Sequence, residues 1–381
     1  MHPIFKIILL LTLASLCAAS PPFTVAPGLF APSNPATLGL EPAPGAETVT
    51  VFHPGDSTDH YSNGVVMIGF KDRLYCQWQS SAQDEDAPNT RVVYSVSTDG
   101  RDWSPPVTLA GPLDDGTCTS GGWWVNGDTL VAYINVWPSG LVPRGGYACY
   151  RTSTDGVTWS PLQPLRMADG DTLKGIFEQD PHALPDGRII GAAHFQPGLT
   201  VSPIHTDDPS GIRGWVRSDF VPAGDASNAI EPGWFRQKSG KLAMVFRDQN
   251  STFRKLASVS TDRGETWSLP VLTDMPDSRS KQCAGNLPDG SAYLVGNPVH
   301  NKTRIPLVLT LSRDGITFDR ACLLRGGGDD LQELRYSGKY KRAGYHYPKS
   351  IIWNGYLYVS YATNKEDVEF TRVPVDSLMG S

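Results

Sequence analysis

Short apolar runs broken by small clusters of turn residues pattern almost the whole chain. Gly64 to Phe70, Arg73 to Trp78, Thr129 to Val136, Leu242 to Arg247, Ser291 to Val295 and Tyr356 to Tyr361 each read as a strand. Pro185-Asp186-Gly187 and Pro288-Asp289-Gly290 read as turns between strands. No stretch longer than a turn or two carries the apolar period of a helix. Residues 20–46 are rich in Pro and Ala and read as an extended lead-in, after which one all-β domain is expected over 47–381.

A second pattern lies over the first. Ser97-Thr98-Asp99-Gly100-Arg101-Asp102-Trp103, Ser153-Thr154-Asp155-Gly156-Val157-Thr158-Trp159, Ser260-Thr261-Asp262-Arg263-Gly264-Glu265-Thr266-Trp267 and Ser312-Arg313-Asp314-Gly315-Ile316-Thr317-Phe318 repeat one turn. The Ser and Asp side chains bond local backbone, Gly supplies a positive φ, and the aromatic packs back between strands. Asp99, Asp155, Asp262 and Asp314 lie 56, 107 and 52 residues apart. The middle gap is two periods, and Thr206-Asp207-Asp208-Pro209-Ser210-Gly211 followed by Trp215 reads as a worn copy near its midpoint. A period near 50 residues filled with short strands predicts a β-propeller of about six blades. Such a ring is commonly closed by one terminus lending a strand to the last blade, and Thr48 to Phe52 is the candidate.

Composition narrows the setting. Residues 1–19 combine Lys6, the apolar run Ile7 to Leu11 and the small-residue end Cys17-Ala18-Ala19, which reads as a signal peptide and predicts a secreted or periplasmic protein. That run is too short for a membrane span, and no later run is longer. The formal net charge of −6 becomes −7 without the leader, which argues against a nucleic-acid partner. Five cysteines remain, Cys76, Cys118, Cys149, Cys283 and Cys322; an odd number leaves at least one unpaired, and free thiols and disulfides both stay open for the rest. Neither these nor the eight His show metal-ligand spacing, and no metal or organic cofactor is expected.

A propeller gathers its ligand-binding groups at one mouth of the central channel. Arg247 ends the run Leu242 to Phe246, and Arg304 follows Asn297-Pro298. Two guanidinium forks from different blades can grip one carboxylate; the bland alternative is a pair of surface ion pairs. Glu231 precedes Pro232, and Tyr347 precedes Pro348 at the opening of the last blade. A tyrosine becomes a nucleophile when a carboxylate takes its proton, so this pair carries chemistry if the two meet; otherwise Tyr347 is a packed aromatic. Asp86, in the acidic loop Gln83 to Pro88, is a candidate general acid or simply a solvated carboxylate.

These features together resemble the sialidase superfamily. Its Asp-box turns, Glu231-Pro232 leading to Arg247, Asn297-Pro298 leading to Arg304, and a late Tyr347 are matched over nearly the whole chain after the leader. The resemblance implies a six-bladed propeller that removes terminal acidic sugars from glycans with retention. It also implies Tyr347 as nucleophile assisted by Glu231, Asp86 as acid/base, and Arg247 with Arg304 as ligands of the substrate carboxylate.

One departure matters. The family begins its first blade with an Arg-Ile-Pro motif that supplies a third arginine, whereas His60-Tyr61-Ser62-Asn63-Gly64 stands here. Losing one of three carboxylate ligands costs on the order of 2 kcal/mol, so the chain is expected either to depart from ordinary sialic-acid recognition or to replace the arginine with His60 or Lys71. A second reading is uronate-directed chemistry on the same propeller, as a lyase or hydrolase, with His60 and Tyr347 as base and acid. His182 and His194, flanking the turn at 185–187, are further candidates. A third reading is a noncatalytic glycan-binding propeller, since the fold does not set the function.

Overall fold

The computed structural model describes residues 20–379, so the expected leader lies outside the described residues. Six antiparallel sheets form the blades of a ring; inner strands pack against those of neighbouring blades, except between blades 3 and 4, where the inner strand of blade 4 meets the second and third strands of blade 3. Blade 1 runs through Tyr61–Phe70, Arg73–Ser81, Arg91–Ser97 and Val107–Ala110. Blade 2 runs through Thr117–Asn126, Thr129–Trp137, Tyr147–Ser153 and Gln163–Pro164. The inner strand of blade 3 is interrupted, Gly175–Phe177 then His182–Ala183, and Ile189–Phe195, Thr200–Thr206 and Val216–Arg217 follow. Blade 4 comprises Ala229–Arg236, Leu242–Asp248, Arg254–Ser260 and Val271–Pro276. Blade 5 comprises Cys283–Asn286, Ala292–Gly296, Leu307–Ser312 and Arg320–Arg325. Blade 6 supplies Tyr345–Trp353, Tyr356–Thr363 and Asp367–Pro374 from the end of the chain and takes Glu47–Phe52 from its beginning as the outermost strand. The all-β, six-bladed expectation and the closing strand are both found.

The repeated turns join the third strand to the fourth. In blade 1, Ser97 Oγ accepts the Gly100 N–H at 2.8 Å, and Asp99 Oδ1 accepts those of Arg101 and Asp102 at 2.8 and 2.9 Å. Ser153 and Asp155 repeat the arrangement in blade 2. The worn copy is a real one. Asp208 accepts the Ser210 N–H at 2.9 Å, and the Trp215 indole donates to the Gly211 carbonyl as Trp267 does to Gly264. Blade 6 has no such turn because its third and fourth strands come from opposite ends of the chain.

Each turn aromatic is a wedge driven toward the preceding blade. Trp103 packs on Phe370, Trp159 on Tyr94, and Phe318 on Phe235, with ring centroids 5.5–6.0 Å apart. Burying such rings supplies much of the cohesion between sheets. The lead-in straps the outside: Phe23 is buried between Phe235 and Phe318, Thr24–Val25 pair in parallel with Thr317–Phe318, and Pro42 bridges Leu323. All five described cysteines are free thiols.

Candidate active site

The turns occupy one end of the channel; the starts of the inner strands and the loops between second and third strands gather at the other. Four inner strands are bulged there at one level, at 63–66, 120–122, 230–233 and 346–349. A bulge adds a residue and re-aims its side chain. Glycine fills the left-handed position in blade 1 (Gly64, φ 62°), but Glu231 (φ 53°) and Tyr347 (φ 54°) fill it in blades 4 and 6. Holding a non-glycine residue there costs on the order of 1–3 kcal/mol, and such strain collects at functional sites. Each is followed by proline, so Glu231-Pro232 and Tyr347-Pro348 are one structural motif used twice, which turns a carboxylate and a phenol into the same cavity.

Charge is concentrated around that phenol. Arg247 Nη1 donates to Glu231 Oε2 at 3.0 Å, and the pair is buried. Burial alone would raise the Glu231 carboxyl; Arg247 and Lys281 outweigh it and hold it low, so the group is ionised at neutral pH. Arg304 lies over the Tyr347 ring at 4.8 Å and Lys281 at 5.0 Å. Lys281 in turn donates to Glu178 Oε2 at 2.7 Å. Burial and Glu231 push the Tyr347 phenol above its ordinary range, with Arg304 and Arg247 pulling against them.

Arg304 differs from the other cations. Its side chain is 4% exposed, yet among the described residues no carboxylate lies within ion-pair distance, and its Nε has no hydrogen-bond partner. Its Nη1 donates to His346 Nδ1 at 2.6 Å, and His346 Nε2 meets the Arg342 carbonyl at 2.9 Å. Burial, then Arg304 and Lys365, drive the His346 imidazole well below its usual range. A neutral ring fits this arrangement, accepting at Nδ1 and donating from Nε2. Arg304 therefore keeps guanidinium donors that no carboxylate occupies, with the negative charge of Glu231 acting on it from beyond ion-pair distance.

A cavity of about 220 Å³ opens beside these groups. Tyr347, Glu231 and Asp86 all line it, with Asn63, Ser120, Asn135, Glu178, Lys281 and Lys349. Asp86 is held at the rim in a two-pronged pair with Arg144, 2.8 and 3.0 Å, and Arg144 stacks on Trp137. His194 Nε2 accepts the Glu231 N–H at 3.3 Å and so braces the bulge from blade 3. A larger apolar cavity, about 420 Å³, lies between the lead-in and the 298–305 loop, away from these charges.

The residues expected to replace the missing arginine do not reach the phenol. Lys71 sits in the tight turn after Phe70, at the far end of the inner strand, where it donates to the Thr154 carbonyl at 2.7 Å. His60 is at the correct end but stacks on Tyr336, ring centroids 3.8 Å apart, and its Nε2 meets the Gly55 carbonyl at 3.2 Å; unlike Arg304, it has no contact with the Tyr347 ring, and neither of the two lines the cavity. His182 faces Asp180 at 3.9 Å lower in the channel, in a separate small cavity. Sequence reasoning passed over Lys281, Lys365, Glu178, Arg144 and Lys349. Lys349 alone carries a local signal, a charge inside apolar strand context between Tyr347-Pro348 and Ser350-Ile351-Ile352; the other four lie in loops and turns where charge is ordinary.

The BNR repeat-like domain family matches residues 72–359. A solved sialidase is 18% identical with a TM-score of 0.66, over 93% of this chain and 35% of that one, so this chain spans about a third of that protein's length. A Dyadobacter fermentans protein of unknown function is 16% identical with a TM-score of 0.66, over 86% of this chain and 99% of its own. The intramolecular trans-sialidase of Ruminococcus gnavus, solved with oseltamivir carboxylate, is 13% identical with a TM-score of 0.64, over 87% and 98%. At such identities the likeness is one of fold. No curated protein sequence matches. The repeated turns, the six blades closed by the first strand, and a match across 72–359 make this chain a member of the BNR repeat-like domain family, built on the sialidase propeller.

Proposed function

We propose that this protein is an exo-acting glycoside hydrolase that releases a terminal sugar bearing a carboxylate at its anomeric carbon, of the sialic-acid type. The observation that carries the reading is Arg304, buried without an ion-pair partner, against the ring of a strained tyrosine. A cavity of about 220 Å³ is below the range of about 300–1,000 Å³ usual for larger ligands. It suits one terminal ring better than a chain.

The resting charges then act in sequence. A substrate carboxylate against Arg304 competes for Arg247, which loosens the Arg247–Glu231 pair and makes Glu231 a better base. Glu231 takes the phenol proton as Tyr347 Oη bonds to the anomeric carbon and the glycosidic C–O bond breaks. Asp86, released from Arg144 and protonated from solvent, gives its proton to the departing oxygen. In the second step Asp86 takes a proton from water, the hydroxide cleaves the tyrosyl–sugar bond, and Glu231 returns the proton to Tyr347. Two displacements at one carbon give retention.

The test is hydrolysis of a fluorogenic α-sialoside by the wild type, Tyr347→Phe and Arg304→Met. Expected are turnover by the wild type, loss of at least about 10³-fold in kcat on removing the nucleophile, and a raised KM with Arg304→Met. A wild type inert on α-linked sialosides, or a Tyr347→Phe protein as fast as the wild type, overturns the reading.

A further inference from the structure

Among the described residues blade 1 contributes no cation to the cavity; its inner strand presents Asn63 and Gly64 there, and the adjacent Ser62 hydroxyl and Asn63 Oδ1 are buried without partners. A cation nevertheless reaches this side from the neighbouring blade. The turn at 364–366 of blade 6, with Asn364 and Lys365 both left-handed (φ 59° and 57°), is hydrogen-bonded to blade 1 through Ser62 N–H to the Lys365 carbonyl at 2.9 Å. The Lys365 side chain is buried, and its Nζ lies 5.5 Å from the Tyr61 ring and 5.6 Å from the Tyr347 ring. Its one recorded hydrogen bond goes to Glu85 Oε2, at 2.6 Å. An ammonium carries three donors, so two remain for a ligand.

We propose that Lys365 is the third cation of the anion site, reaching from the blade 6 hairpin into the space that blade 1 leaves open, and that it makes substrate affinity depend on pH. The inference rests on the carboxylate-binding reading above and deepens it. Arg304, Arg247 and Lys365 then come from three blades toward one side of Tyr347, and Glu85 keeps the lysine in place when no ligand is bound.

The groups facing Lys365 are Glu85, Tyr61, Tyr347, Arg304, Arg342 and the His346 imidazole. Burial is the largest influence and lowers its pKa; Glu85 opposes it, the arginines add to it, and the ammonium ends at about 8. The arginines stay charged throughout. Lys365 therefore loses its charge, and the site its third cation, as pH rises through about 8. A bound carboxylate favours the charged form, so the loss appears in binding rather than in the chemical step. If only the charged form binds, affinity falls by up to about ten-fold between pH 7 and 9.

The test follows KM and kcat on a fluorogenic α-sialoside, and the Kd of its 2,3-unsaturated sialic-acid analogue, from pH 6 to 9.5. The wild type, Lys365→Arg, Lys365→Met, Glu85→Gln and Arg342→Ala are compared, with melting temperatures to verify folding. Expected are an alkaline rise of KM and Kd in the wild type, a flat profile for Lys365→Arg, and a raised, flat profile for Lys365→Met. For Glu85→Gln the rise should move to lower pH, because an opposing charge has gone. A Lys365→Arg protein that keeps the alkaline rise, or a Lys365→Met protein with wild-type KM at pH 7, overturns the proposal while the hydrolase reading stands. So does an affinity loss in Arg342→Ala with none in Lys365→Met. A wild type that neither cleaves nor binds either compound at any pH overturns both.

Discussion

Tyr347 and Glu231 owe their chemistry to the charges around them. Glu231 stays ionised because Arg247 and Lys281 outweigh the cost of its burial. Replacing it with Gln leaves Arg247 buried without its counter-ion, so Glu231→Gln is expected to lose activity and also on the order of 3 kcal/mol of stability, read from the urea midpoint. A variant as stable as the wild type would show that Arg247 finds another partner. Asp86 poses a different question, since both its oxygens are engaged by Arg144. If it protonates the leaving oxygen, Asp86→Asn should hardly slow an aryl glycoside with an acidic leaving group but slow a natural alkyl-linked oligosaccharide by about 10²-fold or more; equal losses on both would remove it from that role. Glu231, Tyr347 and Arg247 were noticeable in the sequence because the first two precede a proline and the third closes an apolar run, Asp86 because of its acidic loop, and Arg304 because it follows Asn297-Pro298. Lys281 and Lys365 were not, because their carboxylate partners are 103 and 280 residues away in the chain. No local pattern encodes a pairing at that range.

Strands and turns carry the longer-range logic. Lys71 stands only seven residues after Gly64, which made it a reasonable substitute for a missing arginine, yet at about 3.3 Å per residue a ten-residue inner strand carries it to the far end of the channel. The turns were fully legible, since their Ser, Asp, Gly and aromatic act on each other within seven or eight residues. Gly156 shows how tightly they are built: φ is 73°, and a Cβ there would meet the Tyr75 hydroxyl at 2.0 Å. Gly156→Ala should cost about 1–3 kcal/mol from the backbone alone, with more from the displaced ring, visible as a lower melting temperature. Asp99 and Asp155 are held below the usual carboxyl range, in both cases chiefly by backbone N–H donors. A folded-state pKa below the unfolded value of about 3.9 gives stability that is present above that pH and lost as pH falls beneath it. Melting temperature should therefore drop more steeply from pH 5 to pH 3 in the wild type than in Asp155→Asn; parallel curves would assign acid sensitivity to other groups. The bulges that aim Glu231 and Tyr347 were not legible, because a bulge is a mismatch between two strands and appears in neither alone.

On the scale of the whole molecule, ring closure is the controlling fact. Glu47–Phe52 pairs with Asp367–Pro374 across more than 300 residues of chain, and Phe23 is buried against blades 4 and 5. The spacing of the repeats foretold the number of blades, and Thr48 to Phe52 was the expected closing strand because propeller rings are commonly closed by a strand from one terminus. Removing residues 20–52 would strip the outer strand from blade 6 and uncover its pairing edge. Such a protein is expected to aggregate or melt far below the full chain, and one that melts like the full chain would show that blade 6 stands on three strands. Closure also sets an order in time. Glu47–Phe52 is paired by a strand made more than 300 residues later, so the ring stays open until Asp367–Pro374 has been synthesised, and a strand edge of six residues must be kept from other partners for the whole of that interval.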